Sequence, residues 1–339
     1  MTLPRPTAFV STGELPPPER VRALVDDAHG RFASIGDGRP SQIYPALAQV
    51  PRELFGICVV GARGGVHGVG DADVEFTIMS VAKPFVFALV CATFGPEEMR
   101  RRIGVNPTGL PFNSLAAIER GHEGRTNPMV NPGAIATTSL VPGATSDDRW
   151  SFIADGLSRF AGRELSLDDE VYRSASETNY VNRSIANLLE SRGALSGDPG
   201  EAVDLYTRQS CLAVTARDLA TMGATLALGG VNPLTGERLV QEETCRHVLA
   251  VMTTAGLYEN SGDWLYDVGL PGKSGIGGGI ITVAPGKGGL ATFAPPLDAA
   301  GNSVRGQLAA RFLSRALGLD IFMSRADDDE PARDRSGPV

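Results

Sequence analysis

Residues 269–280, GLPGKSGIGGGI, set a Gly-Lys-Ser before a run of glycines. Phosphate-binding loops and glycine-rich strand edges both read this way, and spacing separates them. A Walker loop carries a glycine five residues before the glycine of its Gly-Lys-Ser, so that successive backbone N–H groups wrap the phosphates. With Gly272 in the second glycine place, the first falls on Asp267, whose charge repels phosphate. The residues that follow, GIGGGIITVAP, are rich in β-branched side chains and end on proline. That is a strand pattern, whereas a phosphate loop opens a helix. The stretch therefore predicts a strand edge whose glycines admit a close approach to backbone.

The rest of the chain places that strand. LFGICVVGARGGVHGVGDADVEFTIM, residues 54–79, reads as a hairpin plus a third strand, preceded by a helical ERVRALVDDAHGRFA. The middle is helical, with 3.6-residue apolar periodicity and glycine stops in DRWSFIADGLSRFAG, RSIANLLESRG and TARDLATMGATLALGG. Strands return in GGGIITVAP and GGLATFAPP, and a closing helix follows. Strands at both ends around a helical insertion predict an α+β fold. One antiparallel sheet, completed by distant segments and flanked by helices, stands beside a helical lobe. The expected organisation is one catalytic domain over residues 1–322. Its α/β lobe covers about 20–82 and 256–322 and its helical lobe about 83–255, with a disordered, charged tail over 323–339.

Composition narrows the function classes. An apolar fraction of 42% in 339 residues supports a sizeable globular core. A net charge of −8 with scattered basic residues argues against nucleic acid as a partner. No run of eighteen apolar residues and no N-terminal apolar segment is present, so neither a membrane partner nor a secretion signal is expected. Cys58, Cys91, Cys211 and Cys245 lack metal-ligand spacing and read as buried free thiols of a reducing, cytoplasmic compartment. The four histidines are scattered.

The chemistry-bearing stretch is FTIMSVAKPF, residues 76–85. Ser80 and Lys83 are three residues apart, so on a helix they share one face. A serine hydroxyl needs a base to become a nucleophile, and a lysine in a dry pocket loses proton affinity and supplies one. A serine at a helix start also offers its own N–H to a developing oxyanion. Alone, Ser-x-x-Lys is a common helix start. Two features raise it: a strand precedes and an apolar helix follows, and the distant Lys273-Ser274-Gly275 completes the pairing found in penicillin-recognising serine hydrolases. Pro84 is compatible with this geometry if Ser80 to Lys83 form the first helical turn.

With those residues stands a wider match. FTIMSVAK, IGVNPTGLPFNS, NPMVNPGAIA, LYTRQSCLAVTARDLATMGATLALGG, MTTAGLYENSGDWLYDVGLPGKSGIGGGI and PPLDAAGNSVRG occur in order. Together they resemble the serine-dependent glutaminases, which have a β-lactamase/transpeptidase-like fold. The resemblance implies hydrolysis of L-glutamine to L-glutamate and ammonia through an acyl-enzyme. It makes Ser80 the nucleophile, Lys83 its activating partner and Tyr258 a proton shuttle. Ser80, Asn131, Asn182, Tyr206, Tyr258 and the backbone of Ile276 would bind substrate. It implies no metal or cofactor, and self-association, as a homotetramer. Read from the residues alone, Asn131 is also a helix cap and Tyr206 a core aromatic.

Two positions depart from the pattern. The family has a glutamate that binds the glutamine α-ammonium where this chain has Ala175. Glu177 lies two residues on, about 200° around a regular helix, and would face away. The departure implies weaker binding of free glutamine or a changed substrate. In QIYPALAQV the aromatic stands at Tyr44, one place later than in the family. An extended chain then turns it to the opposite face, and Tyr44 is given no role. The alternatives are a serine hydrolase acting on another amide or a lactam, and an amino-acid-binding homologue of low activity.

Overall fold

Five strands make one antiparallel sheet, and they come from the two ends of the chain. They are β1 (Gly56–Gly61), β2 (Val66–Gly70), β5 (Gly272–Ser274), β6 (Gly279–Ala284) and β7 (Gly288–Phe293), in the order β2-β1-β7-β6-β5. Two short strands, β3 (Phe76–Thr77) and β4 (Ala213–Val214), pair separately. This computed structural model describes residues 14–324. Apart from its first two residues, the tail expected over 323–339 lies outside the described residues, as do the first thirteen residues of the chain.

Period-two alternation distributes the strand side chains. Ile57, Val59, Ile280 and Leu290 point into one cluster with the helices Pro18–Phe32 and Val304–Ala316. Cys58, Val60, Ile281, Val283, Ala291 and Phe293 point the other way, into the main core. Both faces are covered, so β1, β6 and β7 are buried throughout and read as unbroken apolar runs.

The second face is covered by the helix Ala216–Ala227, which packs on β7, β1 and β6. The sequence reading placed this segment in the helical lobe. Its small residues explain the difference. A Cβ on Gly223 would meet the Ile281 side chain at 2.9 Å, and one on Gly289 would come within 2.2 Å of the Ala220 carbonyl oxygen. Glycine on both partners lets the helix backbone settle onto the sheet.

The helices Pro96–Ile103, Asn131–Thr138, Ser146–Ala161 and Glu242–Ala255 pack around the helix Lys83–Phe94, which is apolar on all sides and buried from Lys83 to Cys91. Among the described residues no single helix is long and apolar enough to cross a membrane. All four cysteines are free and buried.

Candidate active site

Ser80 sits between the short strand β3 and the buried helix Lys83–Phe94. β3 pairs with β4, and the Ile78 N–H then bonds the Leu212 carbonyl. Met79 follows with φ 47°, a left-handed conformation that side chains other than glycine adopt at a cost of about 1–2 kcal/mol. This bend starts a 3₁₀ turn, Met79–Ala82, and the α-helix begins at Lys83. Pro84 therefore falls in the first helical turn, where a missing N–H breaks no bond.

The glycine stretch that opened the sequence reading lies against this turn. A Cβ on Gly275 would meet the Ile78 carbonyl at 3.0 Å and the Met79 Cβ at 3.3 Å, and one on Gly277 would meet the Thr77 carbonyl at 2.5 Å. These glycines admit a strand edge beside the serine. Among the described residues the Ser80 and Ile276 N–H groups have no protein acceptor.

Ser80, Asn131, Asn182, Tyr206 and Ile276 line one cavity of about 300 Å³. Ser80 is 8% exposed, and its hydroxyl offsets part of the upward pull that burial exerts on the Tyr206 and Tyr258 phenols. Asn131 is the hub. Its Oδ1 accepts from Lys83 Nζ at 2.7 Å and from the Tyr206 hydroxyl at 3.0 Å, and its Nδ2 donates to Asn182 Oδ1 at 2.9 Å. Asn182 donates to Asn179 Oδ1, and Asn179 to the Thr207 hydroxyl. Each buried amide is thereby satisfied and fixed in direction.

Lys83 lies behind the cavity wall. Its Nζ also donates to the Met129 carbonyl at 3.4 Å, and burial pushes its pKa down to about 7. No hydrogen bond between Lys83 and Ser80 is present among the described residues. The shared helical face brings the two residues together, but Asn131 and Met129 hold the amine. A neutral amine has two N–H bonds, and these two oxygens accept both of them, which leaves its lone pair free. Tyr258 also stands behind the wall, in a turn with φ 56°. Its hydroxyl donates to the Ser274 carbonyl at 3.3 Å, its ring packs on Phe112, and burial pushes its pKa up to about 12. Burial raises the Tyr206 phenol well above its ordinary value too.

Lys273, which the sequence reading placed in the Lys-Ser-Gly motif without a role for its side chain, is fully buried with Nζ 4.2 Å from the Tyr258 ring centroid and donating to the Gly256 and Ser274 carbonyls. Burial, and then the charge of Lys83, hold its pKa well below the ordinary lysine value. Tyr44 is corrected in the other direction. Its extended backbone, just before the 3₁₀ turn Pro45–Gln49, turns Tyr44 into the cavity and leaves Ile43 half-exposed at the rim. Ala175 lines the cavity, whereas Glu177 is exposed in a separate surface groove with Asp169, Arg173 and Arg183. The regular helix Asp169–Thr178 thus turns the glutamate away, as its spacing predicts.

Comparison with known proteins settles the family. The family model described as Glutaminase matches residues 38–322. The chain belongs to the glutaminase family. It is 67% identical over 316 residues to Glutaminase 2 of Yersinia pestis, covering 93% of each chain. It is 50% identical over 308 residues to a glutaminase of Brucella suis, covering 91% of this chain and 97% of that one. Among solved structures, a probable glutaminase superposes with a TM-score of 0.89 at 45% identity, over 90% of this chain and 99% of that one. Mglu in its glutamate form gives 0.83 at 38%, over 91% and 70%. These glutaminase neighbours share the α+β, β-lactamase-like arrangement found here, an antiparallel sheet beside a helical majority.

Proposed function

We propose that the chain is an amidohydrolase that converts L-glutamine to L-glutamate and ammonia through an acyl-enzyme on Ser80. The observation that carries this reading is the cavity that Ser80 shares with Tyr206 and with Asn131, whose amide oxygen accepts from both the Tyr206 hydroxyl and a Lys83 amine that titrates near neutrality. Family membership supports the same chemistry, and Mglu, which has 38% identity to this chain, has a glutamate form.

Ser80 Oγ attacks the carboxamide carbon, and neutral Lys83 takes the hydroxyl proton. The N–H groups of Ser80 and Ile276, which have no protein acceptor among the described residues, would receive the negative charge that develops on the carbonyl oxygen. The C–N bond breaks as Tyr258 passes a proton to the departing nitrogen, which leaves as ammonia, and the proton that Lys83 took refills Tyr258. Tyr258 is neutral at pH 7, so it relays a proton and does not abstract one unaided. Water then attacks the Ser80 ester, releasing the carboxylate and restoring the hydroxyl. The sum is one amide and one water giving one carboxylate and one ammonium ion.

The reading extends to a cytoplasmic enzyme, supported by the four free thiols, and to a homotetramer on the family resemblance, which sedimentation of the full chain measures. The deciding experiment is ammonia release across a panel of carboxamides. Ser80→Ala is expected to reduce turnover of every cleaved amide by about 10⁴-fold or more while leaving the melting temperature near that of wild type. Turnover unaffected by Ser80→Ala refutes the assignment.

A further inference from the structure

The cavity at Ser80 has no carboxylate in its wall. Its lining is Tyr44, Met79, Phe112, Ala175, Val181, Cys211 and Ile276 with neutral amides and hydroxyls. Of the acids around the cavity, Glu259 follows Tyr258 and is exposed, outside the lining, and three others are committed elsewhere. Glu177 faces a separate surface groove, Asp204 accepts from the Tyr172 hydroxyl and pairs with Arg208, and Asp168 caps its own helix. Two buried amines stand behind this wall, Lys83 and Lys273, close enough that the charge of Lys83 acts on Lys273. A substrate ammonium entering this space would give up water, find no counter-charge in the lining and approach two groups that take up protons. Ionised groups are not left unpaired in dry pockets without a large cost.

The same wall is apolar where it opens. Ala175 belongs to a cluster with Leu47, Met79, Cys211 and Ile276. At the rim, Ile43 and Val181 are each 49% exposed, and Tyr180 beside them is 69% exposed. A mouth made of large apolar side chains gains by covering them with apolar ligand surface.

We infer that the preferred substrate of this site is a glutamine derivative whose α-nitrogen is acylated and therefore uncharged, with a small apolar acyl group lying on Ile43 and Val181. This rests on the amidohydrolase reading of Ser80 and keeps its reaction. The side-chain amide is cleaved, ammonia leaves, and the acylated nitrogen is a binding group only.

The test compares ammonia release from L-glutamine, N-acetyl-L-glutamine and N-isobutyryl-L-glutamine by the full chain. The expected order of kcat/KM is isobutyryl, then acetyl, then free glutamine, with roughly tenfold or more between the ends. Val181→Glu, at an exposed position that tolerates charge, is expected to lower the ratio of acylated to free substrate by about tenfold. Ala175→Glu is expected to do the same if it folds. Free glutamine cleaved as well as the acylated compounds overturns this inference and leaves the amidohydrolase intact. An acyl preference that Val181→Glu does not change overturns the assignment to this wall. Absence of ammonia from all three overturns both readings.

Discussion

Lys83 shows what a single buried amine does to both activity and stability. Burial lowers its pKa from 10.5 to about 7, so half of the molecules carry a free base near neutral pH. The kcat/KM profile should therefore rise with pH through an apparent pKa near 7 as one proton leaves, and Lys83→Arg, which stays charged, should lose activity at every pH. The same shift has a definite sign for stability. Between about pH 7 and 10.5 the unfolded chain binds more protons at this site than the folded one, so folding gains as pH rises through that window. Below it the full desolvation cost remains. Lys83→Met should be inactive yet more stable, by about 1–4 kcal/mol at pH 6, with the gap closing toward pH 10.5. Urea midpoints at several pH values measure this, and a gap that widens with pH contradicts the account. At this scale the sequence was informative about residue types and not about their links. Ser80, Asn131, Asn182, Tyr206 and Ile276 share one cavity, but spacing alone did not show that Asn131 holds the lysine amine. Tyr44 was left without a role because an extended chain reports which face a side chain takes only when its partner surface is known.

At the level of elements, glycines decide how close the chain segments come. Gly256 precedes the Tyr258 turn and faces β5. A Cβ built on it would stand 1.8 Å from the Gly272 carbonyl oxygen, which is backbone in a paired strand and cannot swing aside. The Gly256 carbonyl in turn receives both Lys273 Nζ and the Ser274 N–H. Gly256→Val should push the Tyr258 turn away from the strand. The expected result is a loss of about 3 kcal/mol and a fall in kcat of at least tenfold, larger than the drop in folded fraction explains. A variant with full kcat per folded molecule would show that the contact is structural only. The element order was legible because both ends alternate with period two and the middle repeats near 3.6. The packing of the helix Ala216–Ala227 on the sheet was not. Its small residues look like ordinary helix formers until the glycine opposite them, at 289, is known.

Across the whole molecule, the site draws on residues 79–83, 131, 182, 206, 258 and 274–276, so no single lobe contains it. The main core crosses the same divide, since Val60, Ile281 and Phe293 of the sheet lie in one cluster with Phe85, Leu157 and Ile185 of the helices. Phe76 and Phe293 stack at 4.0 Å, tying the strand before Ser80 to the sheet. A core shared in this way resists unfolding of one lobe alone, because opening either would expose the apolar surface of both. The two tryptophans can report on each side. Trp150 packs against the main core in the helix Ser146–Ala161, and Trp264 is buried in the second cluster with the helix Val304–Ala316. Trp150→Phe and Trp264→Phe each leave one fluorophore. In urea, the two fluorescence transitions and the loss of ammonia release should share one midpoint within error, as cooperative unfolding requires. If the Trp150 signal moves at lower urea than the Trp264 signal, the helical lobe unfolds by itself. The shared cluster then contributes less than the packing within each lobe, and activity should follow the earlier transition, because Asn131, Asn182 and Tyr206 all stand on that side.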